Sequence, residues 1–240
     1  MTTHWPIASE PPALADGEAH VWAVPLDGAD ARWQASWDAL SADERGRAEQ
    51  FRLDDPRRRF VVARAALRTL LGQYLGVPPS DVAIAIALNG KPRLGDLMRP
   101  TDIRFNVAHS GDIALITFTS NCEIGVDVER LRPVGFAERI ARRFFHAAEA
   151  AAITAAPPDA RDDVFLRCWT AKEAVVKALG SGITGSLATF RVPTEMHDGA
   201  WIELLPARCW LQPLLPAPGY LGAVACVGAP RSIRCFELTM

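Results

Sequence analysis

Three observations predict an α+β fold made of two similar subdomains. Strand-like runs, helical stretches and strand-like runs follow one another in the first half, and the same succession recurs in the second. The chain has 240 residues and is 49% hydrophobic, enough to give each half a core of its own. Ser120, Asn121 and Cys122 fall where the succession restarts. The division is therefore placed between residues 1–120 and 121–240, with the site expected at their interface, a common location for ligands.

The first twenty residues are rich in Pro and Ala and read as irregular. HVWAVPL, His20 to Leu26, reads as a strand from its apolar and aromatic content. SADERGRAEQF opens a helix, with Ser41 and Glu44 at the spacing of a capping box. In DDPRRRFVVARAALRTLLGQYLG, Pro56 suits a first turn and Phe60, Ala63, Leu67, Leu70, Leu71 and Tyr74 form one apolar stripe, ended by Gly76. VAIAIAL is a strand and NGKP a turn, followed by the strands IRFNVAHS and IALITFT. EIGVDVERL, Glu123 to Leu131, is the next strand. FAERIARRFFHAAEAAAITAA reads as one helix, stopped by Pro157 and Pro158. DDVFLRCWTAKEAVVKALG is a further helix, ended by Gly180, and the remainder alternates short strands with Pro- and Gly-rich turns.

Charge and composition exclude several classes. A net charge of -2 gives no general attraction to nucleic acid or to an anionic membrane. No apolar run approaches the ~20 residues of a spanning helix. The first residues have neither a basic start nor an apolar core, so no secretory signal is expected. Five scattered cysteines, none in a C-x-x-C, read as reduced thiols of a cytoplasmic protein.

Two motifs carry the chemistry. In EIGVDVERL, alternate side chains share a face, so Asp127 and Glu129 point one way and Ile124, Val126 and Val128 the other. In WTAKEAVVK, Trp169, Glu173 and Lys177 recur every four residues on one helix face, with Lys172 close by. Alone, that helix reads as a solvent-exposed Glu-to-Lys pair. Beside the acidic strand, Asp127, Glu129 and Glu173 become three hard oxygen ligands suited to Mg²⁺, or Mn²⁺, completed by phosphate and water. No His- or Cys-rich cluster offers zinc an alternative.

FNVAHSGDIALITFTSNCEIGVDVERLRP followed by FLRCWTAKEAVVKALGSGI resembles the 4′-phosphopantetheinyl transferases, in their longer class that carries both halves in one chain. The resemblance runs from about Ser41 to the turn Gly180–Ile183. It implies two subdomains in pseudo-twofold arrangement, each a small, largely antiparallel sheet packed with helices, in a monomer. It also implies transfer of the phosphopantetheine arm of coenzyme A to a serine hydroxyl of an apo acyl or peptidyl carrier protein, releasing adenosine 3′,5′-bisphosphate. By resemblance, Asp127, Glu129 and Glu173 hold Mg²⁺, Lys177 contacts phosphate, and Glu173, directly or through metal-bound water, or Glu149 activates the serine. His109 and Lys91 contact coenzyme A, with Ala108 standing where relatives carry a serine. Arg47 and Arg59 suit its 3′-phosphate. Glu44 departs from the pattern, standing where relatives can carry a base, so that grip is expected to shift to Arg45, Arg47 or Arg58.

Another Mg²⁺-dependent phosphoryl or nucleotidyl transferase would account for the acids, but not for the joint helix motif, turn lysine and histidine. A silent binding protein would not need Asp127, Glu129, Glu173 and Lys177 all intact.

Overall fold

Residues 4–27, 32–87, 90–95, 101–180, 187–204 and 206–239 are described by a computed structural model. Along the chain run β1 (Ile7–Ala8), β2 (Glu18–Pro25), α1 (Trp33–Ala39), α2 (Ala42–Glu49), α3 (Asp54–Leu75), β3 (Ile84–Ile86), β4 (Pro92–Leu94), β5 (Ile103–Ser110), β6 (Ile113–Ser120) and β7 (Ile124–Arg130). There follow α4 (Ala137–Phe144), α5 (Ala147–Ala155), α6 (Arg161–Leu179), β8 (Ala200–Glu203), β9 (Arg208–Leu214), β10 (Tyr220–Val227) and β11 (Ser232–Leu238). The α+β expectation holds. One sheet has the order β1-β11-β2-β6-β5 and another the order β7-β10-β9-β8, while β3 and β4 form a separate hairpin. Among the described strands β1 with β11 and β11 with β2 pair parallel, and the other ladders are antiparallel.

The layers follow from the apolar faces. Leu67, Leu70 and Leu71 of α3 bury against Trp22, Ile116, Phe118 and Phe236 on one face of the first sheet. Val175 and Ala178 of α6 bury against Ala223 and Ala225 of the second, with Phe145, Phe165 and Leu166. The other faces of the two sheets meet each other: Val21 and Leu115 pack with Ile124, Val126, Val128 and Val224. Strand alternation thus sends the even positions of β7 into the inter-sheet core and turns its odd positions toward α6.

Several boundaries differ from the sequence reading. The segment 136–156 is two helices, not one. Phe145 is extended (φ -95°, ψ 167°), buries its ring against Phe165, and leaves His146 to cap α5. The His146 ring accepts from the Ala148 amide at 3.2 Å and Glu149 accepts from the His146 amide at 3.0 Å. The first twenty residues are not all irregular: Trp5 is buried and β1 pairs with β11. Helix α1 is absent from the sequence reading. Of VAIAIAL only Ile84–Ile86 is strand, and Leu88 with Asn89 of the turn lies outside the described residues. The last strand, β11, crosses the division at 120/121 to sit between β1 and β2.

Candidate active site

Strand β7 lies at the edge of its sheet, and its free side faces β5 and α6. An uncovered edge leaves peptide groups unpaired. Here side chains satisfy them. Lys91 Nζ donates to the Ile124 carbonyl (3.1 Å) and the Val126 amide donates to Asn106 Oδ1 (2.9 Å). Lys177 Nζ donates to the Val126 carbonyl (3.2 Å), and the Arg130 amide donates to Ser110 Oγ (3.1 Å). Lys91 also donates to the Lys177 carbonyl (2.9 Å), tying the end of α6 to β7. Gly125 lets α6 approach: a Cβ there would collide with the Ala174 carbonyl and the Ala178 amide.

This close approach brings Asp127, Glu173 and Lys177 together. Lys177 Nζ lies 2.7 Å from Asp127 Oδ1. Asp127 and Glu173 are both buried, and Asp127 Oδ2 and Glu173 Oε1 have no hydrogen-bond partner among the described residues. Burial, with Glu173 and Glu129 adding to it against the pull of Lys177, pushes the Asp127 carboxyl up to about 6. Burial also raises Glu173, with Glu129 adding to it and Lys177 opposing. Glu129, at the strand end, accepts from Ser110 Oγ (2.9 Å) and lies 3.5 Å from Arg132.

Among the described residues no group of three or more His, Cys, Asp or Glu side chains is arranged to hold a metal ion. The donors nonetheless suit a hard divalent cation. Two buried carboxylate oxygens lack partners, a third carboxylate lies within electrostatic reach of both, and a lysine supplies the local countercharge.

His109 is exposed at the end of β5, and desolvation first, then the positive charges of Lys177 and Arg59, hold its ring below the usual histidine range. Arg59 lies 2.7 Å from Asp112 in the β5–β6 turn, and Arg47 is exposed on α2. Ala108 is buried in the inter-sheet core, where a hydroxyl would need a partner of its own. Glu149 stands apart from the acids above. It is fully buried, 2.9 Å from Lys172 Nζ, and it also accepts from the Val192 amide at 2.7 Å. Lys172, placed near the active face by its spacing, instead points into the core and donates to the carbonyls of Leu187 (2.7 Å) and Phe190 (2.8 Å).

Three residues escaped the sequence reading. Asn106 sits within the quoted FNVAHS, but its acceptor role depends on a strand twenty positions later. Arg64 and Arg68 lie in the first long helix among many arginines, and only the packing of α2 on α3 joins them to Glu44 and Arg47.

Residues 27–121 match the family described as 4′-phosphopantetheinyl transferase, N-terminal, and residues 123–214 match the 4′-phosphopantetheinyl transferase superfamily. The 4′-phosphopantetheinyl transferase HetI of a Nostoc species is 37% identical over 215 residues, covering 90% of each chain. The 4′-phosphopantetheinyl transferase Sfp of Bacillus subtilis is 28% identical over 193 residues, covering 80% of this chain and 83% of its own.

Proposed function

Because the chain belongs to the 4′-phosphopantetheinyl transferases, we propose that it moves the 4′-phosphopantetheine arm of coenzyme A onto a serine hydroxyl of an apo acyl or peptidyl carrier protein. Adenosine 3′,5′-bisphosphate is the other product. The observation that carries this reading is the pair of buried oxygens on Asp127 and Glu173 that have no partner among the described residues, set beside Lys177.

Asp127, Glu173 and Glu129 would hold Mg²⁺ or Mn²⁺, which when bound supplies charge neutralisation to a diphosphate. Lys177 can turn from Asp127 toward an incoming phosphate oxygen, and Arg59 and His109, within electrostatic reach of one another, add donors. The neutral ring of His109 donates one N–H without further charge. Of the two acids weighed as base, Glu173 is the one with an oxygen left uncommitted among the described residues, which favours it for taking the serine proton. Glu149 has its oxygens committed, and we assign it, with Lys172, to positioning: the pair fastens residues 187–192 to α5 and α6. Lys91 likewise serves by fixing β7 to α6.

The carrier docks, in this reading, on α4 and the loop before it. Phe136 and Phe144 are exposed, and the guanidinium carbons of Arg139 and Arg143 lie 4.3 and 5.1 Å from their ring centres. An apolar surface edged with positive charge suits an acidic partner helix, with charge acting mainly on the encounter rate. Arg139→Glu should lower kcat/KM for an acidic carrier and flatten its salt dependence without changing coenzyme A affinity. Unaltered carrier kinetics would move the dock elsewhere.

Incubation with coenzyme A, Mg²⁺ and an apo carrier, read by mass spectrometry, tests the whole reading. One phosphopantetheine added to the carrier supports it. A nucleotidyl or phosphoryl adduct, or nucleotide turnover with the carrier unmodified, would replace it with another transferase chemistry.

A further inference from the structure

We infer that Asp112, in the turn between β5 and β6, is a positioning residue for the transfer: seated across the two sheets by Tyr220, it holds Arg59 in place to meet a phosphate of coenzyme A. The inference rests on the proposed substrate and adds a residue that acts on it only through Arg59.

The turn consists of Gly111 and Asp112 and follows His109 and Ser110 on β5. Its backbone is fixed from both sheets. The Leu26 amide, just past β2, donates to the Asp112 carbonyl at 2.8 Å. The Asp112 amide donates to the Tyr220 hydroxyl, at the start of β10, at 3.0 Å. Gly111 has φ +55°, and a Cβ there would stand 2.7 Å from the Tyr220 oxygen, so the turn seats on that hydroxyl only with glycine. A short side chain on a backbone held at both amide and carbonyl has little freedom left.

Arg59 has no such anchorage of its own. It lies in the second turn of α3, and its side chain is 38% exposed. Its neighbour Arg57 pairs with Asp54 on the same helix, whereas Arg59 reaches across to Asp112, Nη2 donating to Oδ1 at 2.7 Å. A half-exposed arginine on a long stem loses rotamer freedom when it grips a ligand, and a fixed carboxylate removes that freedom before the ligand arrives. The grip stays available, because Asp112 takes Nη2 alone. Nε and Nη1 have no hydrogen-bond partner among the described residues.

A carboxylate beside the grip also repels phosphate, and two observations decide which effect wins. The other oxygen of Asp112 lies 4.0 Å from Arg130, so two guanidiniums share one acid and the cluster keeps an excess of positive charge. Asp112 is 39% exposed, and water screens its repulsion there. Orientation therefore outweighs repulsion. The same contact keeps Arg59 within electrostatic reach of His109, three residues before Asp112 in the chain.

Calorimetric titration of coenzyme A with Mg²⁺, in the absence of carrier, into wild type, Asp112→Asn, Arg59→Ala and the double variant tests this without turnover. Asp112→Asn should weaken binding roughly fivefold, the scale of ordering one rotamer-rich side chain, and in kinetics should raise KM for coenzyme A alike while kcat stays within about twofold. Asp112→Glu should recover part of the loss. On the Arg59→Ala background, Asp112→Asn should have no further effect, a coupling that a merely structural role would not show. Wild type that does not bind coenzyme A would defeat the proposed substrate itself. Affinity unchanged or tightened in Asp112→Asn, or a loss that persists on the Arg59→Ala background, would overturn the positioning role alone. If Asp112→Asn melts below the assay temperature, Tyr220→Phe decides the matter, since it removes only the oxygen that seats the turn. It should weaken coenzyme A binding in the same direction, and binding equal to wild type overturns the assignment.

Discussion

Lys172 and Glu149 are both shut away from solvent, and each completes the other. Removing one charge strands its partner, so Lys172→Met should cost about 3–5 kcal/mol of stability in urea unfolding. Adding Glu149→Gln should recover part of that loss, because the stranded charge is gone; a neutral Lys172→Met would show that the pair does not hold the 187–192 segment. His20 gives a pH signature. Its ring is buried in the first sheet, its Nδ1 lies 2.7 Å from the Tyr74 hydroxyl, and burial holds its pKa down, with Arg234 adding to this and Glu18 opposing. The unfolded ring, with a pKa of about 6.5, takes up a proton that the folded ring resists. Stability is therefore full above that value and lost as pH falls below it, at no more than about 1.4 kcal/mol per pH unit. His20→Gln should flatten this slope between pH 6.5 and 5, read from denaturation midpoints. At this scale the sequence showed the acids and Lys177, because strand and helix periods alone bring them to faces. It could not show that Lys172 turns inward or that Arg64 meets Arg47, since those contacts join distant elements.

Helix α6 and strand β7 touch backbone to backbone, and the only residue type that permits this at position 125 is Gly. Gly125→Ala should push α6 outward, separate Lys177 from Asp127, and lower activity at least tenfold while the far sheet ladders remain; near-normal kinetics would mean the helix does not need that approach. The break between α4 and α5 makes a second prediction. His146 serves as the cap, so His146→Ala should destabilise by about 1 kcal/mol while His146→Asp should not, as measured by thermal melting. That cap was hard to see in advance: His is an uncommon cap, and the run around it is rich in helix formers. The long helices α3 and α6 were plain: in α3 stripe, first-turn residue and terminal Gly agreed, and in α6 the four-residue recurrence and terminal Gly did. The short strand β1 was hidden because two residues carry no period.

The molecule as a whole is two sheets face to face, with a long helix outside each and the acids at the edge where the sheets part. Repetition of element types along the chain made the α+β class and its two halves readable, but not that the two sheets pack face to face. Strand β11 did not follow from it, because nothing local tells a late strand to leave its own half. Deleting residues 231–240 should leave β1 without a partner and β2 paired only with β6, weaken cooperative melting of the first sheet, and expose Trp22 to solvent quenchers; a truncated chain with the wild-type transition would contradict this. The place of β11 also sets a timetable. During synthesis β2 emerges early and can pair with β6 by mid-chain, yet its other neighbour, β11, is made roughly 200 residues after β2, about 10–40 s at ribosomal speeds. For that interval the nascent chain presents an open apolar edge of the kind that recruits other strands, and a ribosome-associated holding chaperone would have its natural client there until the final strand slides in.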